Sequence, residues 1–200
     1  RIVGPYQDSY SPNGIIGEKD ACGVGFIANI KGVESNWILK QSLKGLNCME
    51  HRGGCGGDSD SGDGAGILCS IPWGYLEEEI NLKNNQEFNR GLGMVFMPNK
   101  KEKIEVCKSI CDQEAEKLKV NKTSWRKVPV NNEILGPLAK ANAPFICQWI
   151  LYIDKKDHQD VERLLFQLRK RIEKKIRETF KNDVGDCEFY FASLSSQTVV

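Results

Sequence analysis

No apolar run in this chain approaches the roughly 20 residues needed to span a bilayer, and residues 1–21 lack the basic-then-apolar order of a secretory signal. No membrane association is therefore expected. Net charge is nearly absent too: 28 Lys and Arg face 27 Asp and Glu, leaving a formal +1 over 200 residues. Such a chain has no global field with which to gather nucleic acid or anionic lipid, so neither is expected as a partner, and any basic partner site has to be local. Histidine is scarce, with only His51 and His158. Cysteine is not scarce, but its eight residues are scattered in a chain large enough to need no staples, which favours reduced thiols over a disulfide framework.

What is present is ordinary for a globular chain: 40% hydrophobic and 28% charged residues, enough to bury a core and suited to a small-molecule enzyme or a neutral binding module. Lysine outnumbers arginine 20 to 8, and asparagine and isoleucine are plentiful, as in translation from an AT-rich genome such as a plastid's. The sequence opens on Arg1 rather than methionine, and Thr198, Val199 and Val200 read as the middle of a strand, so a fragment is expected.

Residues 1–21, with two prolines and three glycines, read as a loop-rich leader. From Cys22 to Ile30 the alternation Val24, Phe26, Ala28, Ile30 predicts a strand with one buried face. Ser35 is placed to cap a helix carrying Ile38, Leu39, Leu43, Leu46 and Met49. His51 to Gly66 is a loop rich in glycine and aspartate, Ile67–Ile71 a strand ended by Pro72, and Gly91–Met97 another strand. Helical spacing runs over 102–119 and again over 157–180, with a long apolar strand at Phe145–Ile153 between them. Ser124–Pro144 reads as irregular connection, and Glu188–Ala192 with Thr198–Val200 as a strand pair. Without strict alternation of strand and helix, the expected class is α+β, with helices packed on mainly antiparallel sheets.

Chemistry is sparse. Ala21-Cys22-Gly23 places a thiol at a strand start between small neighbours. A thiol titrating near ~8.5 needs a base, and a cut before Cys22 would create one, because the new α-amino group titrates near ~7.7–8.0 on the same residue. A positioned base is worth about 10²- to 10⁴-fold, so cleavage would act as an on-switch. On residues alone, a cysteine packed at a strand start explains the same pattern and is the commoner case. Glu50-His51-Arg52-Gly53-Gly54 ends a helix; His51 is either a helix-end residue complementing the dipole or a partner for Cys22. The aspartates from Asp58 to Asp63 invite calcium, but in an EF-hand register Asp63 falls where glycine belongs and Cys69 where the bidentate glutamate belongs. Cys107 and Cys111, four apart on a helix, fit core packing better than a metal site, and no metal is expected. The basic run from Arg163 to Lys181 is interleaved with glutamates and reads as a solvated helix face.

Three segments together, Asp20-Ala21-Cys22-Gly23-Val24-Gly25-Phe26, Met49-Glu50-His51-Arg52-Gly53-Gly54 and Asp60-Ser61-Gly62-Asp63-Gly64-Ala65-Gly66-Ile67, closely resemble the amino-terminal part of the glutamate synthases. Gly93-Met94-Val95-Phe96, Trp125 to Val130, Leu135 to Ala139 and Ser193-Leu194-Ser195-Ser196 extend the likeness over the whole chain, with the ferredoxin-dependent type of cyanobacteria and plastids most similar. The resemblance implies a class II glutamine amidotransferase with the N-terminal-nucleophile hydrolase fold, a four-layer αββα sandwich present here in part. Residues 1–21 would be a propeptide and 22–200 the first part of the domain. Cys22, with its freed α-amino group as base, would attack the side-chain amide of L-glutamine, giving a glutamyl thioester and ammonia for the conversion of 2-oxoglutarate to glutamate. Arg52 would support the site.

The same resemblance implies no cofactor in this chain but FMN and an iron-sulfur (3Fe-4S) cluster in the full-length enzyme, with the rest of the chain and ferredoxin as partners. It places the enzyme in the plastid stroma or, alternatively, in cyanobacterial cytoplasm. The oxyanion-hole and carboxylate-gripping motifs belong beyond residue 200, so the chain alone is expected to be inactive. Gln197 stands where relatives often carry arginine. The rival expectation is a catalytically silent domain of the same fold.

Overall fold

Residues 23–49, 60–62, 64–79, 88–120, 122–154, 157–181 and 189–200 are described by the computed structural model. The chain divides into two units, residues 1–65 and 66–200, each taken by itself.

In the first unit Ser35 does cap a helix, α1 (Asn36–Asn47), its hydroxyl accepting from the Ile38 N–H at 3.4 Å. No α1 residue is buried. The strand expected from Cys22 to Ile30 is not there: residues 23–29 have no regular structure, and Val24, Phe26 and Ile30 stand in the open, Phe26 at 93% exposure. An alternating segment becomes a strand only with a ladder partner for its N–H and C=O groups, and none of the described residues provides one. Asn29 instead closes a turn, its side chain accepting from the Lys31 N–H and its carbonyl from the Gly32 N–H, with Gly32 at φ +67°.

In the second unit, apolar Phe145–Asp154 and Phe88–Met97 form the central pair of a four-stranded sheet. The strands are β1 (Cys69–Ser70), β2 (Phe88–Met97), β3 (Lys122–Lys127), β4 (Phe145–Asp154), β5 (Tyr190–Ser195) and β6 (Thr198–Val199). The large sheet has the order β3-β4-β2-β5, while β1 and β6 make a separate two-stranded ladder. Every pairing is antiparallel, with β2 and β4 matched from Phe88–Asp154 to Met97–Phe145. Between the strands run α2 (Trp73–Glu79), α3 (Lys101–Lys117), α4 (Pro137–Ala141) and α5 (His158–Thr179).

Alternation along the sheet divides the side chains between two cores. Val95, Met97, Trp149, Leu151 and Ile153 pack with the apolar stripes of α3 and α5, and this is the main core. Gly91 admits α5 here, since a β-carbon on it would lie 3.1 Å from Leu165. On the opposite face Leu92, Ile150 and Tyr152 meet Leu76 of α2, Ile71 and Val199. The helix α3 ends in a Schellman motif: the Val120 N–H reaches the Ala115 carbonyl, the Lys119 N–H reaches that of Glu116, and Lys119 takes φ +59° where glycine would be unstrained.

The α+β class and the antiparallel pairing agree with the sequence reading, as do both long helices. Three details differ. Ile67–Ile71 contracts to the two residues of β1. Ser124–Pro144 is not merely irregular: it begins with the edge strand β3, whose Thr123 and Trp125 face the helices while lysines and Arg126 mask the alternation. The segments 190–195 and 198–199 do not pair with each other. The turn between them sends β5 to β2 and β6 to β1, the Gln197 carbonyl accepting from the Ile71 N–H at 3.0 Å.

Candidate active site

Cys22, His51, Arg52 and most of the aspartate loop lie outside the described residues. Their flanks do not. Gly23, which follows Cys22, and Met49, three residues before Arg52, are in close contact: a β-carbon on Gly23 would stand 2.8 Å from the Met49 sulfur, and one on Gly25 3.1 Å from the Met49 methyl. No ordinary side chain fits at Gly23 without displacing Met49. The first unit thus brings together two of the three segments on which the resemblance rests, through Gly23 and Gly25 of one and Met49 of the other.

The buried cysteines behave differently from an activated thiol. Cys107 and Cys111 are buried in the main core, as the packing reading expected. Burial, reinforced by neighbouring Cys107, Asp112 and Cys147, holds the Cys111 thiol well above its ordinary range. Burial also pushes Cys147 up to about 12, against a small opposing pull from Lys108. A thiol so shifted carries negligible thiolate at neutral pH and is chemically inert. Cys69 is raised by burial as well. His158 opens α5 in solvent. Among the described residues no group of three or more His, Cys, Asp or Glu could hold a metal, and no helix is long and apolar enough to cross a membrane.

Three polar nodes escaped the sequence reading. The Asp112 carboxylate accepts from the Thr123 hydroxyl at 2.8 Å and the indole N–H groups of Trp125 and Trp149 at 3.2 and 3.1 Å, joining α3 to β3 and β4. The two indoles stack at 5.3 Å. One oxygen of Glu162 accepts from the Ser195 hydroxyl and from both the N–H and the hydroxyl of Ser196, at 3.2, 2.7 and 2.7 Å, so the paired serines serve to tie the β5–β6 turn to α5. The side chain of Gln197 at that turn is exposed. Arg126, on the sheet face away from α3 and α5, bonds Gln148 and Glu79 at 3.0 Å each and the Tyr75 hydroxyl at 3.3 Å. Motif likeness had marked Trp125-Arg126 and Ser195-Ser196. Their roles were hidden because the partners Asp112, Glu79 and Glu162 are distant in sequence.

Residues 22–200 match the family described as glutamine amidotransferases class-II, and the chain belongs to it. Its similar relatives are ferredoxin-dependent glutamate synthases. It is 40% identical over 190 residues to "Ferredoxin-dependent glutamate synthase 1, chloroplastic/mitochondrial" of Arabidopsis thaliana, which covers 93% of this chain and 12% of the relative. It is 40% identical over 200 residues to the chloroplastic enzyme of Oryza sativa subsp. japonica (98% of this chain, 12% of the relative). It is 40% identical over 190 residues to "Ferredoxin-dependent glutamate synthase 2" of Synechocystis sp. (93% and 12%). The chain therefore spans about one eighth of the length of these relatives.

Proposed function

We propose that this chain is the glutamine-hydrolysing part of a ferredoxin-dependent glutamate synthase, with Cys22 as nucleophile. The observation that carries the reading is that the family match begins on Cys22. Residues 1–21, outside that match, are then the propeptide, and 22–200 the first part of the amidotransferase domain. The contact of Gly23 with Met49 supports a supporting role for Arg52, since Cys22 is one peptide from Gly23 and Arg52 three from Met49. A helix layer on one face of the sheet and a short β-ladder on the other are compatible with one half of a four-layer αββα sandwich.

In this reading the freed α-amino group of Cys22 takes the thiol proton as sulfur attacks the glutamine side-chain amide. The tetrahedral intermediate collapses by returning that proton to the leaving nitrogen, releasing ammonia and leaving a glutamyl thioester. Water, deprotonated by the same amine, then releases glutamate. The amine titrates near ~7.7–8.0, so activity should rise with pH through that range. Ammonia would pass to a second site that aminates 2-oxoglutarate. FMN and a 3Fe-4S cluster would deliver the electrons from ferredoxin there, in parts of the enzyme beyond this chain. The names of the relatives favour a plastid stroma or cyanobacterial cytoplasm.

Two measurements test this. Amino-terminal sequencing of the active, full-length enzyme should read Cys-Gly-Val-Gly; an intact bond between Ala21 and Cys22 would sink the mechanism. Cys22→Ser in the same enzyme should lower glutamine-dependent turnover about 10³-fold or more while ammonia-dependent turnover persists. Undiminished use of glutamine would favour a catalytically silent domain instead.

A further inference from the structure

Folding removes the charge interleaving that the α5 sequence displays. Residues 169–181 hold seven of the chain's 28 cations and two of its 27 acids, a local +5 in a chain whose total is +1. Of the four acids of α5, Glu162 and Glu173 are withdrawn from its surface, while Asp160 and Glu178 stay exposed. Glu162 is used by the β5–β6 turn, and Glu173, 17% exposed, is held by Arg169 and Lys170. Glu114 of α3 likewise turns inward to Arg171 and Lys117. Between Lys170 and Lys181 only Glu178 remains as an exposed acid, 4.0 Å from Lys174.

The exposed cations are Lys170, Arg171, Lys174, Lys175, Arg177 and Lys181. Lys175, Arg177 and Lys181 have no acidic partner in the contacts of the described residues. At 1.5 Å per residue the row spans about 16 Å, so neighbouring charges lie within a Debye length of roughly 8–10 Å and act together. Aromatic surface adjoins it. Phe166 is 60% exposed under Lys170, and a cleft of about 410 Å³ at the end of α5 is lined by Arg177, Phe180, Lys181, Phe189 and Tyr190 together with Ile176 and Glu173. Lys103 of α3 lies over the Phe180 ring, 5.8 Å from its centroid.

We infer that the carboxy-terminal half of α5 and this cleft form a docking surface for a carboxylate-rich segment of a partner protein. Charge complementarity selects the occupant: a row of cations about 16 Å long matches a short acidic stretch, and exposed Phe and Tyr beside it supply the apolar anchors usual at protein interfaces. A long polyanion such as duplex DNA would extend past the row, the rest of the sequence sums to a net negative charge, and the row offers no ladder of aromatics for stacking bases.

The test uses the full-length protein and a fluorescein-labelled oligo-glutamate peptide followed by anisotropy. The peptide should bind in low salt, weaken with rising salt, and lose about tenfold or more in affinity in the triple variant Lys174→Glu, Lys175→Glu, Lys181→Glu. The matching triple change to arginine should retain binding, and circular dichroism of both variants should be unaltered. Equal affinity of wild type and the glutamate variant overturns the inference. So does tighter charge-dependent binding of a DNA duplex to the same residues. A requirement to neutralise Asp183, Asp186 and Glu188 before any peptide binds also overturns it, because the cations would then already be answered within the chain.

Discussion

The segment 23–49 and the sheet body 88–180 spend similar residues to opposite effect. Val24, Phe26 and Ile30 alternate as cleanly as Trp149, Leu151 and Ile153, yet the first three are exposed and the last three buried. The difference is partnership: β4 has β2 and β3 on its flanks and two helices over one face, whereas the described residues offer the alternation of 23–30 nothing to pair with. Packing and chemistry are separated accordingly. The best-packed thiols are inert, and the sequence features that point to catalysis begin at Cys22, beside residues 23–30, all of which are exposed.

That comparison can be broken at four points. The largest effect is expected for Trp149→Ala, which empties the centre of the main core; it should cost about 3–5 kcal/mol by denaturant unfolding, and a loss under ~1 kcal/mol would show that the sheet body is less consolidated than its burial indicates. Next comes Asp112→Ala. It strands the buried Trp149 indole N–H along with Trp125 and Thr123, and should cost about 2–3 kcal/mol.

Glu114→Gln should act through pH. A hydrogen bond from Lys117 lowers the Glu114 carboxyl most, burial opposes it, and Arg171 lowers it further; the net direction is down. A carboxyl lowered on folding contributes stability that is present above its unfolded value near ~4.3 and lost as pH falls through the folded one. Wild type should therefore lose more melting temperature than the glutamine variant between neutral pH and pH below ~4.3. Parallel curves would remove Glu114 from acid unfolding. The smallest effect is expected for Phe26→Ser, within about 0.5 kcal/mol; a cost several times larger would mean that 23–30 is packed after all.

Legibility in the sequence followed the range of the forces involved. The helices α1, α3 and α5 were readable because capping and 3.6-residue periodicity are local. So was β4, whose continuous apolar run leaves few alternatives. Strand β3 was not, because an edge strand with Lys122, Arg126 and Lys127 conceals its inward Thr123 and Trp125. The fate of β6 was not, because its choice of β1 over β5 depends on contacts far along the chain. Cys22 and Arg52 were identifiable only through motif spacing. Small neighbours, Ala21 and Gly23, are the local feature that sets Cys22 apart from Cys147, whose inertness becomes visible only once its surroundings are known.

The strand order has a consequence for synthesis. Strand β2 lies at the middle of the sheet, but its neighbours come late: β4 is complete only at Asp154, and Leu92 meets Ser195 across more than a hundred residues. At roughly 5–20 residues per second on the ribosome, one edge of β2 waits about 5–20 s for β5, with Leu92 and Val95 uncovered for part of that time. The nascent chain should consequently be a client for holding chaperones during that interval, and synonymous changes that slow translation between β2 and β5 should lower its soluble yield more than the same changes placed before residue 88.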